Sequence, residues 1–300
     1  MRSLLRFFGS GLLMGTADII PGVSGGTMAL IVGVYETLVD SISALFSAAL
    51  ALVRVDLVTF RTQWEAVAWR VVLPLGGGIL TAILVAAEFI PALLERYPVQ
   101  SRGLFFGLIT ASLIIPWDRM TIRTITHLGT AILAAVAAFV LSGLPPQTVA
   151  DPSLLVVFGA AMIAICAMIL PGVSGSFLLL VMGMYAPTLE AIDARDLAYV
   201  ATFAVGAGLG IGLFSKLLTW LLGRYHDLTM AALVGLMAGS LRALWPWQTE
   251  ARALQLPTSG DPLGSVLLLG LVGFAVVTAL VIVGRRLDPA ASPALEPTDG

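Results

Sequence analysis

The same five residues, PGVSG, occur twice in this chain, at 21–25 and at 171–175. Proline disfavours helical backbone at the residue before it, and the following glycine allows backbone angles that are closed to other residues. Ser24 and Ser174 are placed to cap the next helix by accepting hydrogen bonds from its first free N–H groups. Each motif therefore predicts a broken helix whose positive dipole end and N-terminal amides form an anion site.

The predicted anion site combines both motifs, with a phosphate-sized group held by backbone N–H groups and serine hydroxyls. Its predicted ligands are the residues after the two prolines: Gly22, Val23, Ser24, Gly25, Gly26, Gly172, Val173, Ser174, Gly175 and Ser176. The competing interpretation is that each Pro-Gly only makes a tight hairpin with close helix packing, because small residues favour helix contact in lipid.

Basic residues within apolar segments are costly in a membrane and usually face a cavity or a partner. Arg242 and Lys216 are the predicted counter-charges for a bound phosphate. For Lys216 the alternative is that its side chain extends to the membrane interface. Arg70 and Arg102 lie at segment ends and are interpreted as interfacial anchors.

Acidic residues within the segments are the candidates for coupling transport to protons or sodium. These candidates are Asp18, Glu36, Asp40 and Glu190. The alternative is that they cap helices or pair locally. No metal-ligand spacing is present, and no metal or cofactor is predicted.

These residues belong to a chain of 300 residues that is 58% apolar and 11% charged, against about 25% charged in soluble domains. The stretch 152–189 has no charged residue. As one straight helix it would reach about 57 Å, whereas a hydrocarbon core is about 30 Å thick. The composition predicts an all-α polytopic membrane protein. A net charge of −2 gives no basic surface for nucleic acid, and one cysteine, Cys166, excludes a disulfide framework.

The chain divides into ten apolar segments, at roughly 4–20, 24–53, 67–94, 101–117, 122–144, 153–170, 174–190, 197–222, 228–247 and 263–284. The PGVSG motifs are 150 residues apart, and at that offset Gly33 matches Gly183 and Tyr35 matches Tyr185. GLITASLIIPW (107–117) likewise matches GLMAGSLRALW (235–245). We therefore predict one membrane domain of two five-segment repeats, 1–150 and 151–287, followed by a disordered cytoplasmic tail, 288–300.

An odd number of segments per repeat makes the second repeat enter the membrane from the opposite side. The repeats are thus predicted to be inverted, as in many secondary transporters. The helices broken at PGVSG either span the membrane or are re-entrant. Both arrangements leave an odd number of crossings per repeat, so the termini and connections stay on the same sides. One face carries eleven Arg and Lys residues and the other five, which places both termini of this multi-pass membrane protein in the cytoplasm.

An intramembrane serine protease is a rival class, because GVSG fits a Gly-x-Ser-Gly pattern. A nucleophilic serine needs a base within hydrogen-bond reach, but His127 and His226 fall near cytoplasmic-side loops and the motif occurs twice. A lipid phosphatase would need an Arg/His cluster that the sequence lacks. The stronger rival is a secondary transporter of a small soluble anion on the same scaffold, which hydropathy does not distinguish from a lipid carrier.

Three stretches, GLLMGTADIIPGVSGGTMALIVGVYETL, LPGVSGSFLLLVMGMY and GLMAGSLRALWPW, closely resemble the bacterial PopT-type polyprenyl-phosphate transporters. The resemblance runs from about residue 5 to residue 285. It implies a translocase that returns undecaprenyl phosphate from the outer to the inner leaflet, so that this carrier lipid is reused in cell-wall synthesis. The resemblance also implies a location in the bacterial cytoplasmic (inner) membrane, with polyprenyl phosphate and membrane lipid as partners. The acidic candidates add a proton or sodium ion as a predicted partner, and the net charge predicts no nucleic acid.

Overall fold

The computed structural model describes residues 2–20, 24–249 and 251–287, and these residues form fourteen α-helices and one 3₁₀ helix. The first half contains α1 Arg2–Ile19, α2 Gly25–Ile31, α3 Tyr35–Val53, α4 Leu57–Ala66, α5 Trp69–Arg96, α6 Pro98–Ser112, α7 Ile114–Asp118 and α8 Ile125–Ser142. The second contains α9 Leu154–Ile169, α10 Gly175–Val181, α11 Tyr185–Asp193, α12 Leu197–Arg224, α13 His226–Ser240, the 3₁₀ helix Leu241–Leu244 and α14 Leu263–Leu287.

Six of the described helical stretches are long and apolar enough to cross a membrane, or up to eight if each sharply bent helix pair counts as one span. The bends are 69° between α4 and α5 and 103° between α10 and α11. Within the described ranges the only β-structure is a single bridge between Gln248 and Leu254. The prediction of an all-helical, multi-span membrane protein is confirmed.

Both predicted helix breaks coincide with the end of a helix. α1 ends at Ile19 and α9 at Ile169, each shortly before a proline of the repeated motif. A seven-residue helix follows in each half, and two residues after the end of each short helix lies a glycine with positive φ, 77° at Gly33 and 75° at Gly183. Glycine adopts this left-handed conformation without strain, so the chain can turn sharply into the next helix.

Four parallel helix pairs make up most of the packing: α1 with α5, α9 with α12, α6 with α14 and α8 with α13. Glycines line these contacts, and an added methyl group at Gly107 or Gly235 would collide with a carbonyl oxygen of the neighbouring helix. Backbones approach this closely in lipid when small residues face each other. The pairs α6–α14 and α8–α13 each join one helix of the first half to one of the second.

The two ends of α5 define the two faces of the molecule. This helix has 28 residues and so extends about 42 Å. It begins next to α4, on what we name the α4 face, and ends just before α6 on the opposite face. α1 runs parallel to α5 and therefore starts on the α4 face, where α14, parallel to α6, ends.

The two halves differ in the burial of their short helices. Residues Gly25–Leu30 of α2 are all buried, and they pack in the main apolar core with Tyr35, Ile109, Met230 and Met237. In α10 only Gly175 is buried. The second break therefore lies closer to accessible space than the first.

Candidate functional site

The first helix break is closed by side chains of the chain itself. The N–H of Gly25 donates a hydrogen bond of 2.7 Å to Oδ1 of Asp18, and the N–H of Gly26 donates one of 3.2 Å to the Ser24 hydroxyl. Ser24 is only 2% exposed. The amides at the start of α2 are thus occupied, whereas the sequence predicts them to be free for an anion.

The second break leaves more of its polar groups accessible. Ser174 caps α10 by accepting a long hydrogen bond, 3.5 Å, from the N–H of Phe177. The Ser174 hydroxyl lies 2.9 Å from that of Ser176, which is exposed. No carboxylate occupies the position that Asp18 has in the first half, because the residue at that repeat position is Met168. This break is therefore the better placed of the two to receive an anion.

Hydrogen bonds join the two breaks directly. The Ser24 hydroxyl is 3.4 Å from the carbonyl oxygen of Leu170, to which it donates, and the N–H of Gly172 donates to Oγ1 of Thr27 at 2.9 Å. The two motifs, far apart in sequence, are neighbours in the fold. Pro21, Gly22 and Val23 lie outside the described residues, so the predicted roles of Gly22 and Val23 stay predictions.

A cavity of about 540 Å³, which we name the polar cavity, lies beside the two breaks. It is lined by Asp18, Ile19, Arg102, Pro146, Ser176, Phe177, Leu180, Tyr185, Ala243, Gln248, Thr249 and Arg252. The connections on the face opposite α4 form its rim, and residues next to the breaks form its base. Its two arginines outnumber its one carboxylate, so the cavity is suited to an anion.

Arg102 and Arg252 are the positive charges of the polar cavity. Arg102 donates to the carbonyl oxygen of Pro246 at 3.4 Å, and the Arg252 guanidinium lies 4.2 Å from the centre of the Phe177 ring. Both side chains are partly buried. Burial and the nearby charge of Arg102 lower the pKa of Arg252, which nevertheless stays protonated at neutral pH, as arginines in proteins do. Two like charges held together in this way can bind a phosphate through several N–H donors.

The loop that carries Arg252 is held by its own hydrogen bonds. The two N–H groups of the Gln248 side-chain amide are shared among three carbonyl oxygens, with Nε2 at 2.6 Å from that of Trp245 and at 3.0 and 3.1 Å from those of Arg242 and Ala243. The indole of Trp245 donates to the carbonyl oxygen of Gln255 at 2.9 Å. These bonds fix the turn that aims Arg252 into the cavity.

The sequence does not reveal either arginine as a site residue. Arg102 is interpreted from the sequence as an interfacial anchor, yet it lines the polar cavity. Arg252 lies in a polar connection outside the apolar segments. Its place depends on a loop conformation that residue types and periodicity do not specify.

The two basic residues chosen from the sequence lie elsewhere. Arg242 packs on the Phe139 ring, 4.5 Å from its centre, and donates to the Phe139 carbonyl oxygen at 3.2 Å, near the end of α8. Lys216 lines a separate cavity on the α4 face, with its ammonium 5.7 Å from the centre of the Phe46 ring. Neither residue lines the polar cavity.

Of the four predicted coupling residues, only Asp18 reaches the polar cavity. Glu36 forms an ion pair of 2.9 Å with Arg119, and Asp40 accepts a hydrogen bond of 2.8 Å from Thr219. Glu190 is exposed on α11.

A second, smaller cavity also meets Asp18. This apolar cavity, of about 150 Å³, lies on the other side of the first break and is lined mainly by aliphatic side chains of α1, α3, α9 and α12. Tyr35 lines it too, is only 1% exposed, and has a buried hydroxyl without a hydrogen-bond partner within the described part of the chain. Asp18 thus separates an accessible polar cavity from a smaller apolar one.

The spanning helices and the charged cavity between them define a membrane transporter. Comparison with known proteins then gives its family: the chain belongs to the undecaprenyl phosphate translocase-like family, whose model matches residues 14–260. It is 39% identical over 256 residues to a polyprenyl-phosphate transporter of Vibrio cholerae, covering 84% of this chain and 80% of that protein. It is 29% identical to a polyprenyl-phosphate transporter of Staphylococcus aureus, covering 79% and 84%. No solved structure matches the chain.

Proposed function

We propose that the protein translocates undecaprenyl phosphate, or a similar polyprenyl phosphate, across the bacterial cytoplasmic membrane. The observation that carries the proposal is the convergence of Arg102 and Arg252 in the polar cavity, above the exposed Ser176 at the second helix break. Guanidinium groups bind phosphate oxygens through paired N–H donors. The names of the related proteins support the same substrate.

The two halves form inverted repeats in this proposal. The pairs α1–α5 and α9–α12 occupy matching places in the two halves, and so do α6 and α13. α5 runs away from the α4 face, whereas α12 runs towards it. The direction of α12 follows from Lys216, in its last third, which lines a cavity on the α4 face. Opposite directions of matched helices are what an inverted repeat requires.

The α4 face is the cytoplasmic face in this proposal, since the excess of Arg and Lys lies there. Both described chain ends, at α1 and α14, are on this face. The polar cavity then lies on the outer side of the membrane, and the structure corresponds to an outward-facing state. In this state the phosphate of an outer-leaflet lipid would enter between the arginines while its isoprenoid chain stays in the bilayer.

Transport then proceeds by alternating access. The matched tyrosines differ in the way that this mechanism requires, because Tyr185 in the polar cavity is 40% exposed and Tyr35 in the apolar cavity is 1% exposed. When the outer cavity closes, the apolar cavity would widen towards the cytoplasm and release the lipid phosphate into the inner leaflet. Net movement in this direction would return the carrier lipid for reuse.

Asp18 is the proposed coupling residue because it lines both cavities and caps α2. A proton or sodium ion on its carboxylate would weaken the bond to the Gly25 amide. Occupation of Asp18 would thereby change the stability of the first break, which lies between the two cavities.

The experiment is a leaflet assay in proteoliposomes, with a fluorescent short-chain polyprenyl phosphate and an impermeant quencher. We expect Arg102→Gln with Arg252→Gln to lower the transport rate at least about tenfold, because each charged hydrogen bond contributes about 1.5–3 kcal/mol. Arg96→Gln is the matched control, as Arg96 is exposed on the same face and outside the cavity. Transport at the wild-type rate in the double variant would refute the proposed site.

The same liposomes test coupling and the substrate class. Imposed proton and sodium gradients should change the rate for the wild type but not for Asp18→Asn, while Glu190→Gln should behave as wild type. A gradient response that persists in Asp18→Asn would exclude Asp18 as the coupling residue. Uptake of inorganic phosphate in place of the lipid probe would instead favour a carrier for a soluble anion.

A further inference from the structure

The α4 face carries a cavity of about 340 Å³ that shares no lining residue with the polar cavity or the apolar cavity. We name it the α4 cavity, and it is lined by Ser47, Arg54, Asp56, Thr59, Gln63 and Lys216, with Leu50 and Ala51. It lies at the end of α3 and start of α4, whereas the polar cavity lies at the opposite end of α5. The length of α5, about 42 Å, separates the two faces.

The charges of the α4 cavity favour an anion. Arg54 and Lys216 contribute two positive charges, and Asp56 contributes one negative charge. Asp56 is already engaged, since it caps α4 by accepting a hydrogen bond of 3.0 Å from the N–H of Thr59. The two cations are exposed, and the hydroxyl and amide groups beside them can donate further hydrogen bonds.

The surroundings of this cavity match a lipid rather than a free anion. Large apolar side chains beside it are strongly exposed, including Val53 at 82%, Val55 at 79% and Val58 at 79%. No residue of α4 is buried. Exposed apolar side chains next to cations suit the boundary between lipid chains and headgroups, and the rings of Trp64 and Trp69, 4.5 Å apart, belong to the aromatic residues typical of that boundary.

We propose that the α4 cavity binds the phosphate of a membrane lipid, with the acyl or isoprenoid chains on the exposed valines. Basic cavities between helices on the cytoplasmic side of membrane proteins bind anionic headgroups in this way. The lipid is either a resident anionic phospholipid or the transported polyprenyl phosphate after it has crossed. The site goes beyond the proposed transport function, because its residues are independent of Arg102 and Arg252.

The test is native mass spectrometry of the full chain in detergent, with phosphatidylglycerol, farnesyl phosphate and, as a zwitterionic control, phosphatidylcholine. We expect Lys216→Gln and Arg54→Gln to weaken binding about fivefold each, and about 25-fold together, since each surface cation contributes about a fivefold gain in affinity for anionic lipid. Lys216→Arg should retain binding. Arg61→Gln is the matched control, because Arg61 lies on α4 but pairs with Glu65 at 2.9 Å and does not line the cavity.

Each outcome separates the two lipids and the two sites. If the Lys216/Arg54 double variant loses phosphatidylglycerol binding while Arg61→Gln keeps it, the occupant of the α4 cavity is a resident phospholipid. If Arg102→Gln/Arg252→Gln still binds farnesyl phosphate, and if this binding is lost when Lys216 and Arg54 are also replaced, the occupant of the α4 cavity is the transported lipid. Affinities that change less than twofold for both lipids overturn the α4 cavity site. Failure of the proposed transport site would show separately in the stoichiometry, because the Arg102/Arg252 variant would then bind as many farnesyl phosphate molecules as the wild type and not one fewer.

Discussion

Two serines at the helix breaks, one from each half, occupy different environments. The Ser24 hydroxyl is buried between the breaks and donates to a backbone carbonyl of the second half, whereas Ser176, two residues after Ser174, is exposed in the polar cavity. The Ser24 hydroxyl is only 2% exposed, so a ligand cannot reach it, whereas the Ser176 hydroxyl pairs with Ser174 at 2.9 Å and still has an exposed side that can contact a ligand. The polar residues of the second break are therefore better suited to contact the substrate, and Ser24 to join the two halves.

Replacing these serines should separate stability from binding. We expect Ser24→Ala to lower the free energy of unfolding by about 1 kcal/mol, because a helix cap and an interhelical hydrogen bond are lost. Ser176→Ala should leave unfolding unchanged and weaken farnesyl phosphate binding roughly tenfold, the effect of one hydrogen bond to a charged group. Thermal unfolding in detergent and ligand titration measure the two effects. If Ser24→Ala lost ligand binding and Ser176→Ala lost stability, this division of roles would be contradicted.

Residue types identified the helix breaks but not the charged ligands. Proline and glycine restrict the backbone locally, so PGVSG at 21–25 and 171–175 predicted the ends of α1 and α9. Arg102 and Arg252 depend on how α6 and a distant loop meet, which local sequence does not encode. Arg242 was chosen because it lies within an apolar segment, but packing places it on the Phe139 ring.

At the scale of helices, the apolar segments located most elements but missed one short helix and the sharp turns between helices. The predicted segment 24–53 is two helices, α2 and α3, joined by a turn at Gly33. α4 was not predicted, because its exposed mixture of polar and apolar residues does not form an apolar run. Hydropathy measures how apolar a segment is, and it does not show where the chain bends.

The interlocking of the two halves depends on small residues between helices. Gly107 of α6 meets the backbone of α14 at Gly270, and Gly235 of α13 meets α8 at Ala131. In the proposed repeat these two pairs are equivalent, and each crosses from one half to the other. Separating either pair would remove backbone contacts as well as side-chain contacts.

Alanine at these glycines should therefore destabilise the fold. We expect Gly107→Ala and Gly235→Ala each to lower the unfolding free energy by about 1–3 kcal/mol, the cost of overpacking, because helix backbones must move apart. Gly129→Ala is the control, since nothing lies within 4 Å of the added methyl group, and alanine there should be neutral or stabilising. Thermal unfolding of the three purified variants gives the comparison. Equal stability of Gly107→Ala and Gly129→Ala would show that these contacts do not hold the halves together.

At the scale of the whole molecule, an inverted repeat predicts a second state in which the halves exchange their roles. Tyr35 and Tyr185 are matched by the repeat but differ in exposure, 1% against 40%. Near-identical surroundings would be expected if the two halves had the same conformation. The proposed alternating access accounts for the difference, with one cavity open and the other closed, and this makes the two tyrosines reporters of the proposed cycle.

Hydroxyl-radical footprinting of the reconstituted protein measures water access at each tyrosine without substitution. Tyr185 should be oxidised faster than Tyr35 in the absence of substrate, because only Tyr185 lies in the accessible cavity. During turnover with farnesyl phosphate and an imposed ion gradient, oxidation of Tyr35 should rise and that of Tyr185 should fall. Tyr97 and Tyr225, at 42% and 43% exposure, lie at matched helix junctions outside both cavities and serve as internal references. If Tyr35 stays protected while transport proceeds, the substrate does not pass through the apolar cavity, and the halves do not exchange conformations.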